Sequence, residues 1–223
     1  MKAAGGFMKF KAVIFDLDGT LLDTVDDLTD ATNSVLRRFG YPEHDRQTIQ
    51  SYIGDGLRVL MERALPESRR DEDNIQRCFE LLKPAYAGCW TNKTHLYPGI
   101  PELLESLLNS DIAISILSNK ADDATQQIVA KLLSRWAFRV VLGARAGIPP
   151  KPDPTGALTI AKMLGISPQD TIFIGDTSID MQTAAAAGMY SIGALWGFRP
   201  ADELSVGGAR ILLRNPPDLI PWL

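Results

Sequence analysis

Histidine and cysteine are scarce here, with two of each in 223 residues: His44, His95, Cys78 and Cys89. Cys78 and Cys89 show neither CxxC nor histidine-rich spacing, so no zinc site and no disulfide framework is expected. Both read as small buried hydrophobes. An excess of basic residues is also lacking: 23 Lys and Arg face 27 Asp and Glu, a net charge of −4. A phosphate backbone would find no clustered positive face, which excludes nucleic acid as the expected partner. No apolar run approaches the roughly 18 residues that a membrane span requires, and no repeat of about 20–50 residues is visible. The opening MKAAGGFMKFK has no long apolar stretch of its own, and the hydrophobic run that follows is broken at Asp16. A cytoplasmic location is therefore expected, with no membrane partner.

What is present is a large apolar fraction, 45% of the chain, enough for a substantial core. Short β-rich runs recur at Lys11–Phe15, Ile112–Leu117, Phe138–Leu142, Thr171–Ile174, Tyr190–Gly193 and Arg210–Leu213. Several are apolar nearly throughout, as suits strands covered on both faces of a parallel sheet. Helical patterns lie between them at Pro101–Asn109, Ala121–Leu133, Pro154–Leu164 and Ser178–Ala187, with Gly165 and Gly188 placed as C-terminal caps. This alternation predicts a doubly wound, Rossmann-like α/β core.

From Asp23 to about Trp90 the alternation stops. Helical patterns cover Thr24–Phe39, Leu57–Leu65 and Arg69–Ala87, where Pro84 should kink or end the last. The prediction is an all-helical cap at 23–90 inserted into a core made of 1–22 and 91–223. An insert leaving the C-terminal end of a strand overhangs the crevice in which open α/β sheets bind ligands.

Candidate chemistry sits where predicted strands end. Asp16 and Asp18, in FDLDGTLLDT, are two residues apart, so both side chains can point to one side. Carboxylates that close resist joint ionisation unless a cation is present or one stays protonated, and either solution serves catalysis. Gly19 permits a tight turn after them. Ser118-Asn119-Lys120 supplies a hydroxyl and an amide able to bond phosphate oxygens. Lys151 lies in the proline-rich PPKPDP, which could aim its ammonium at a fixed point. Gly175-Asp176-Thr177-Ser178-Ile179-Asp180 brings a further carboxylate to a strand end. Each loop alone has an ordinary explanation as a turn, a helix cap or a solvated lysine. Four at one sheet edge form a complementary set for phosphoryl chemistry.

DLDGTLLDT, the strand-terminal SNK, the lysine of KPDP, and GDTSID resemble, in order, the four motifs of the haloacid dehalogenase superfamily. The resemblance covers most of the chain, cap included, and is strongest to that superfamily's phosphoglycolate phosphatase group, on the LLDT continuation, the Asn-Lys of SNK and the cap segment Ile53-Gly54-Asp55-Gly56-Leu57. It implies Asp16 as nucleophile, Asp18 as acid and base, and Ser118, the Asn119 amide and Lys151 as phosphate-binding groups. It further implies Mg2+ held by Asp16, the Asp18 main-chain carbonyl and Asp176, with Asp180 behind them, and a small phosphorylated metabolite as substrate. Asp18 fits neither the dehalogenases nor the phosphonoacetaldehyde hydrolases, which lack an acid there. A phosphomutase keeps both acid and cap, but Thr20 stands where those mutases commonly have valine. A non-catalytic protein on the same scaffold remains the alternative of another class.

In the cap, Arg58 is the candidate partner for a substrate carboxylate, with Arg37, Arg38 and Arg63 competing. Trp196-Gly197-Phe198 is expected to complete the core rather than to line the cap hinge. His44 and His95 lie outside the motifs and receive no catalytic role. Pro216–Leu223 is expected to pack on the outside of the domain. The oligomeric state is not legible.

Overall fold

A computed structural model of the chain describes residues 10–222. The expected absence of an apolar leader concerns residues that are mostly outside that range. The chain starts with β1 (Ala12–Phe15), an apolar strand whose side chains are all fully buried. A short strand β2 (Leu22–Asp23) leads into four helices, α1 (Val25–Arg38), α2 (Arg46–Tyr52), α3 (Leu57–Ala64) and α4 (Glu72–Ala87), and the chain returns through β3 (His95–Leu96). The remainder alternates through α5 (Ile100–Asn109), β4 (Ala113–Ala121), α6 (Asp122–Leu132), β5 (Val140–Ala144), α7 (Thr155–Leu164), β6 (Thr171–Gly175), α8 (Ser178–Ala187), β7 (Tyr190–Ala194), α9 (Ala201–Val206) and β8 (Ile211–Leu213).

Six strands form one parallel sheet in the order β5-β4-β1-β6-β7-β8, the doubly wound arrangement that the alternation predicts. Side chains alternate across it with period two. Val13 and Phe15 pack with Leu103, Leu104 and Leu107 of α5, while Ile14 and Phe173 face Ala157 and Ile160 of α7 and Ala184 of α8. Burial on both faces explains why these strands read as continuous apolar runs. Strand β1 has β4 on one side and β6 on the other. The winding reverses there, and the crevice opens at the C-terminal ends of these three strands.

Helices α1–α4 bury a separate apolar cluster, including Leu28, Leu36, Ile49, Leu60, Met61, Ile75 and Leu82. The chain enters and leaves this helical unit side by side, because β2 and β3 pair antiparallel through Leu22 with Leu96 and Asp23 with His95. That ribbon is a correction, since no strand was expected at Asp23. Its two pairs are too short to leave a period-two pattern. Helix α2 was missed for a similar reason: its one fully buried residue is Ile49, so no stripe repeats, although Asp45 caps it by accepting from Thr48 N–H at 2.7 Å. Helix α9 likewise rests on Leu204 alone.

Other boundaries differ in informative ways. Pro84 does not end α4, which runs on to Ala87. Strand β4 continues to Ala121 rather than stopping at Leu117, so the SNK residues lie on a strand. Gly165 and Gly188 cap their helices in the left-handed region, as expected (φ 66° and 70°). Cys78 is fully buried, but Cys89 is only partly so, its Sγ 3.6 Å from the Asp27 carbonyl. The C-terminal turns Pro216–Trp222 do not simply lie outside, because Leu219 is buried in the main core.

One buried acid fastens the helical unit to its return strand. Asp27, in the first turn of α1, is fully buried and accepts hydrogen bonds from the Lys93 N–H (3.1 Å), the Thr94 N–H (2.8 Å) and the Thr94 hydroxyl (2.8 Å). Removing the carboxylate strands these buried donors. Asp27→Ala is expected to lower unfolding stability by about 3 kcal/mol in urea titrations. A loss below about 0.5 kcal/mol, the range of an ordinary surface substitution, would contradict the clamp.

Candidate active site

Residue Asp16 is the first after β1, and its N–H donates to the Ile174 carbonyl on β6 (3.0 Å). The parallel register pairs Phe15 with Ile174, so the ends of β1 and β6 carry Asp16 and Asp176 side by side. The turn after Asp16 closes through the Leu21 and Leu22 N–H groups, both donating to the Leu17 carbonyl. Gly19 sits in that turn at φ 89°, and a Cβ there would lie 2.2 Å from an Asp176 oxygen. Glycine is thus required both by the conformation and by the approach of the second carboxylate. Asp180 enters from the first turn of α8, where it forms a capping box with Thr177: its Oδ2 accepts from the Thr177 N–H (3.0 Å) and hydroxyl (2.7 Å).

Oxygens of Asp16, Asp176 and Asp180 come within 4.8 Å of one another, and all three residues are buried. Lys151 reaches into the group, with its ammonium 2.8 Å from Asp16 Oδ1 and 2.6 Å from Asp180 Oδ1. Its loop is tied to β4 by the Asn119 side chain, which donates to the Lys151 carbonyl and accepts from the Lys151 N–H. Asp176 is oriented by neutral donors, the Thr20 hydroxyl on Oδ1 (3.0 Å) and the Phe198 N–H on Oδ2 (2.8 Å).

One ammonium does not balance three carboxylates in a buried site, and the proton affinities record the deficit. Burial is the main cause that lifts Asp16 from an ordinary 3.8 to about 7; the Lys151 charge opposes this and Asp180 adds to it. Burial likewise raises Asp176 well above the usual carboxylate range, reinforced by Asp180 and Asp16. For Lys151, burial alone would lower the value, but Asp16 and Asp180 outweigh it and hold the ammonium more firmly protonated than usual. A cluster of hard oxygen donors with unbalanced negative charge fits a divalent cation such as Mg2+.

In front of these acids is a partly open cavity of about 40 Å³. The core lines it with Asp16, Asp18, Ser118, Asn119, Lys120 and Lys151, the helical unit with Leu28, Ile53, Gly54, Gly56, Leu57 and Leu60. At roughly 10–15 Å³ per water, the space takes about three water molecules.

The structure brings Asp16, Asp18, Ser118, Lys151, Asp176 and Asp180 to one sheet edge. Asn119 lies at the same edge and lines the cavity, but both its side-chain groups are engaged, the amide also donating to the Gly54 carbonyl across the crevice (3.1 Å), so anything it offers to a ligand comes from the main chain. Arg58 does not line the cavity and pairs instead with Glu72 on α4. Arg63 pairs with Asp55 (2.6 Å). The sequence reading missed Lys120, buried with its ammonium 2.7 Å from both Asp18 oxygens and 4.9 Å from the centre of the Tyr86 ring. The signal was available, because residues 118 and 120 share a face once β4 continues through them. Burial works against the Lys120 charge, but Asp18 prevails and raises its proton affinity.

The Trp196-Gly197-Phe198 segment also exceeds its expected packing role. Trp196 packs against the main core and donates to the Thr20 carbonyl (2.9 Å), whereas Phe198 inserts among the helices of the cap. Both histidines are structural, His44 bonded to the Ala64 carbonyl and His95 to that of Lys93.

The raised Asp16 value has a testable sign. A carboxyl that binds its proton more tightly folded than unfolded stabilises the fold most at low pH, and that stability is lost as pH rises through about 7. With metal chelated, Tm should fall from about pH 5 to about pH 7.5, a window in which ordinary carboxylates are already ionised. Added Mg2+ should raise Tm more at the upper pH. Equal Mg2+ effects at both values would contradict the unbalanced cluster.

Known proteins share this arrangement of chain. Phosphoglycolate phosphatase 1 of Pseudomonas aeruginosa is 32% identical over 215 residues, covering 95% of this chain and 79% of that protein. The phosphoglycolate phosphatase of Aquifex aeolicus is 31% identical over 210 residues, covering 94% and 95%. Among solved structures, a candidate phosphoglycolate phosphatase from Lactobacillus delbrueckii subsp. bulgaricus matches with a TM-score of 0.88 at 31% identity, over 95% of this chain and 97% of its own. The family profile described as haloacid dehalogenase-like hydrolase matches residues 13–194, from within β1 to the end of β7. The chain therefore belongs to the haloacid dehalogenase-like hydrolases.

Proposed function

We propose that this hydrolase is a Mg2+-dependent phosphomonoesterase that acts through an aspartyl-phosphate on Asp16, with 2-phosphoglycolate as its substrate. The observation that carries the reading is the convergence of Asp16, Asp18, Ser118 and Lys151 on one cavity. In the first half-reaction an Asp16 oxygen attacks phosphorus, the bond from phosphorus to the leaving oxygen breaks, and Asp18 gives that oxygen its proton. In the second, Asp18 takes a proton from water, the water oxygen attacks phosphorus, and the Asp16 carboxylate is released with inorganic phosphate. Splitting one displacement into two easier ones is the gain of covalent catalysis. Ser118 and Lys151 bind the transferring group, and Lys120 holds Asp18 in place between turnovers. A bound Mg2+, held by Asp16, Asp176 and the Asp18 main-chain carbonyl with Asp180 behind them, supplies positive charge against the phosphoryl oxygens.

The division of labour follows the two apolar interiors, the α/β core at 1–22 and 91–223 carrying the chemistry and the cap at 23–90 covering it. Three features support a small, anionic leaving group: the confined cavity, the names of the relatives, and the polar groups that the cap presents. These groups are not arginines but the main chain of the Gly54–Leu57 loop at the start of α3, where helical N–H groups favour a carboxylate.

Phosphate release from 2-phosphoglycolate, pyrophosphate, sugar phosphates and nucleotides should give the highest kcat/KM for 2-phosphoglycolate. A preference for a larger ester would overturn the substrate, and transfer to a second sugar rather than water would establish a mutase. Asp16→Asn should lower kcat by about 10⁴-fold or more, and retained turnover would remove Asp16 as nucleophile. Arg58→Ala should leave KM for 2-phosphoglycolate unchanged; a clear rise would return the carboxylate to the cap arginine.

A further inference from the structure

Arg199 follows directly on the residue whose N–H orients Asp176, and its guanidinium crosses to the cap. It donates to the carbonyls of Gln50 (2.9 Å), Ser51 (3.0 Å) and Ile53 (2.6 Å), at the C-terminus of α2. A helix end leaves its last carbonyls without intrahelical partners and carries partial negative charge, so a cation from another element is well matched to it. Gln50 returns the contact, its side-chain amide donating to the Phe198 carbonyl (3.2 Å). Behind the guanidinium, Glu203 lies 3.5 Å from Arg199 Nε and accepts from the Ser178 hydroxyl (3.1 Å) at the start of α8, the helix that carries Asp180.

The backbone between these anchors has no slack. A Cβ on Gly197 would lie 2.3 Å from Asp176 Cβ and 2.4 Å from the Gly19 carbonyl oxygen. The Phe198 ring is seated among the cap helices while its N–H is on Asp176. Around Arg199 the seam between cap and core is a polar cavity of about 240 Å³, so this attachment is made by directed hydrogen bonds rather than by a continuous apolar seal.

We propose that residues 196–199 couple cap closure to the cation site, with Arg199 as the positioning residue: docking of its guanidinium on the end of α2 fixes the Phe198 N–H against Asp176. Coupling of this kind is reciprocal, so an occupied cation site favours the closed cap and a closed cap tightens the cation. The inference rests on the reading of Asp176 as a cation ligand.

Calorimetric titration of the full-length protein with Mg2+ alone tests it without reference to turnover. Arg199→Met, which keeps the stem and loses the fork, should weaken Mg2+ binding by about fivefold or more, and Arg199→Lys should recover only part of it, since an ammonium cannot span three carbonyls. Should Arg199→Met not fold, as judged by circular dichroism, Gln50→Ala removes the return contact and should weaken Mg2+ in the same direction. Asp176→Asn separates the two claims. If it abolishes Mg2+ binding while the folded Arg199 and Gln50 variants bind as the wild type does, the coupling is overturned and the ligand assignment stands. If Asp176→Asn binds Mg2+ normally, both are overturned.

Discussion

Everything at the edge of this sheet depends on burying three carboxylates around one ammonium. Lys151 bridges Asp16 and Asp180 at 2.8 and 2.6 Å, and Asp176 completes the group with no cation paired to it among the described residues. Such an arrangement is costly in the absence of further positive charge, because burial penalises each ionised acid and the acids repel one another. The surrounding fold holds it in place by over-determination. Two adjacent parallel strands fix Asp16 and Asp176, a capping box fixes Asp180, and a glycine with no alternative lets the β1 turn pass beside Asp176. The strain of an incomplete charge balance is what prepares the site for a divalent cation and a phosphoryl group.

The helical cap acts on the same site from the other side. Its apolar residues and the Gly54–Leu57 loop close a space of about 40 Å³ over the acids, and three kinds of contact hold it there: Asn119 to Gly54, the ring of Phe198 among the cap helices, and Arg199 on the end of α2. The cap is anchored differently at its root, by the β2–β3 ribbon and the Asp27 clamp.

Most of this was legible in the sequence because the strands are buried on both faces and end in polar loops. Asp16, Asp18, Asp176 and Asp180 announced themselves at or soon after an apolar run, and Lys151 by its proline-rich loop. What escaped has a common physical cause: elements that bury too little to leave a period. Helix α2 buries Ile49 alone and α9 Leu204 alone, while β2 and β3 are two residues each. Lys120 was hidden by a strand boundary set too early, and Arg58 looked available because its ion pair with Glu72 joins segments distant in sequence. The Trp196–Arg199 segment could not be read locally at all, since its meaning lies in contacts with Thr20, Asp176 and Gln50.

The central claim is that Asp16 carries the phosphoryl group between two half-reactions. Quenching the enzyme during turnover, reducing any acyl phosphate with borohydride and locating the altered residue by peptide mass spectrometry tests it most directly. The account predicts conversion at Asp16, absent without substrate and lost in Asp16→Asn. Modification at another residue, or active turnover with no trapped acyl phosphate, would contradict it.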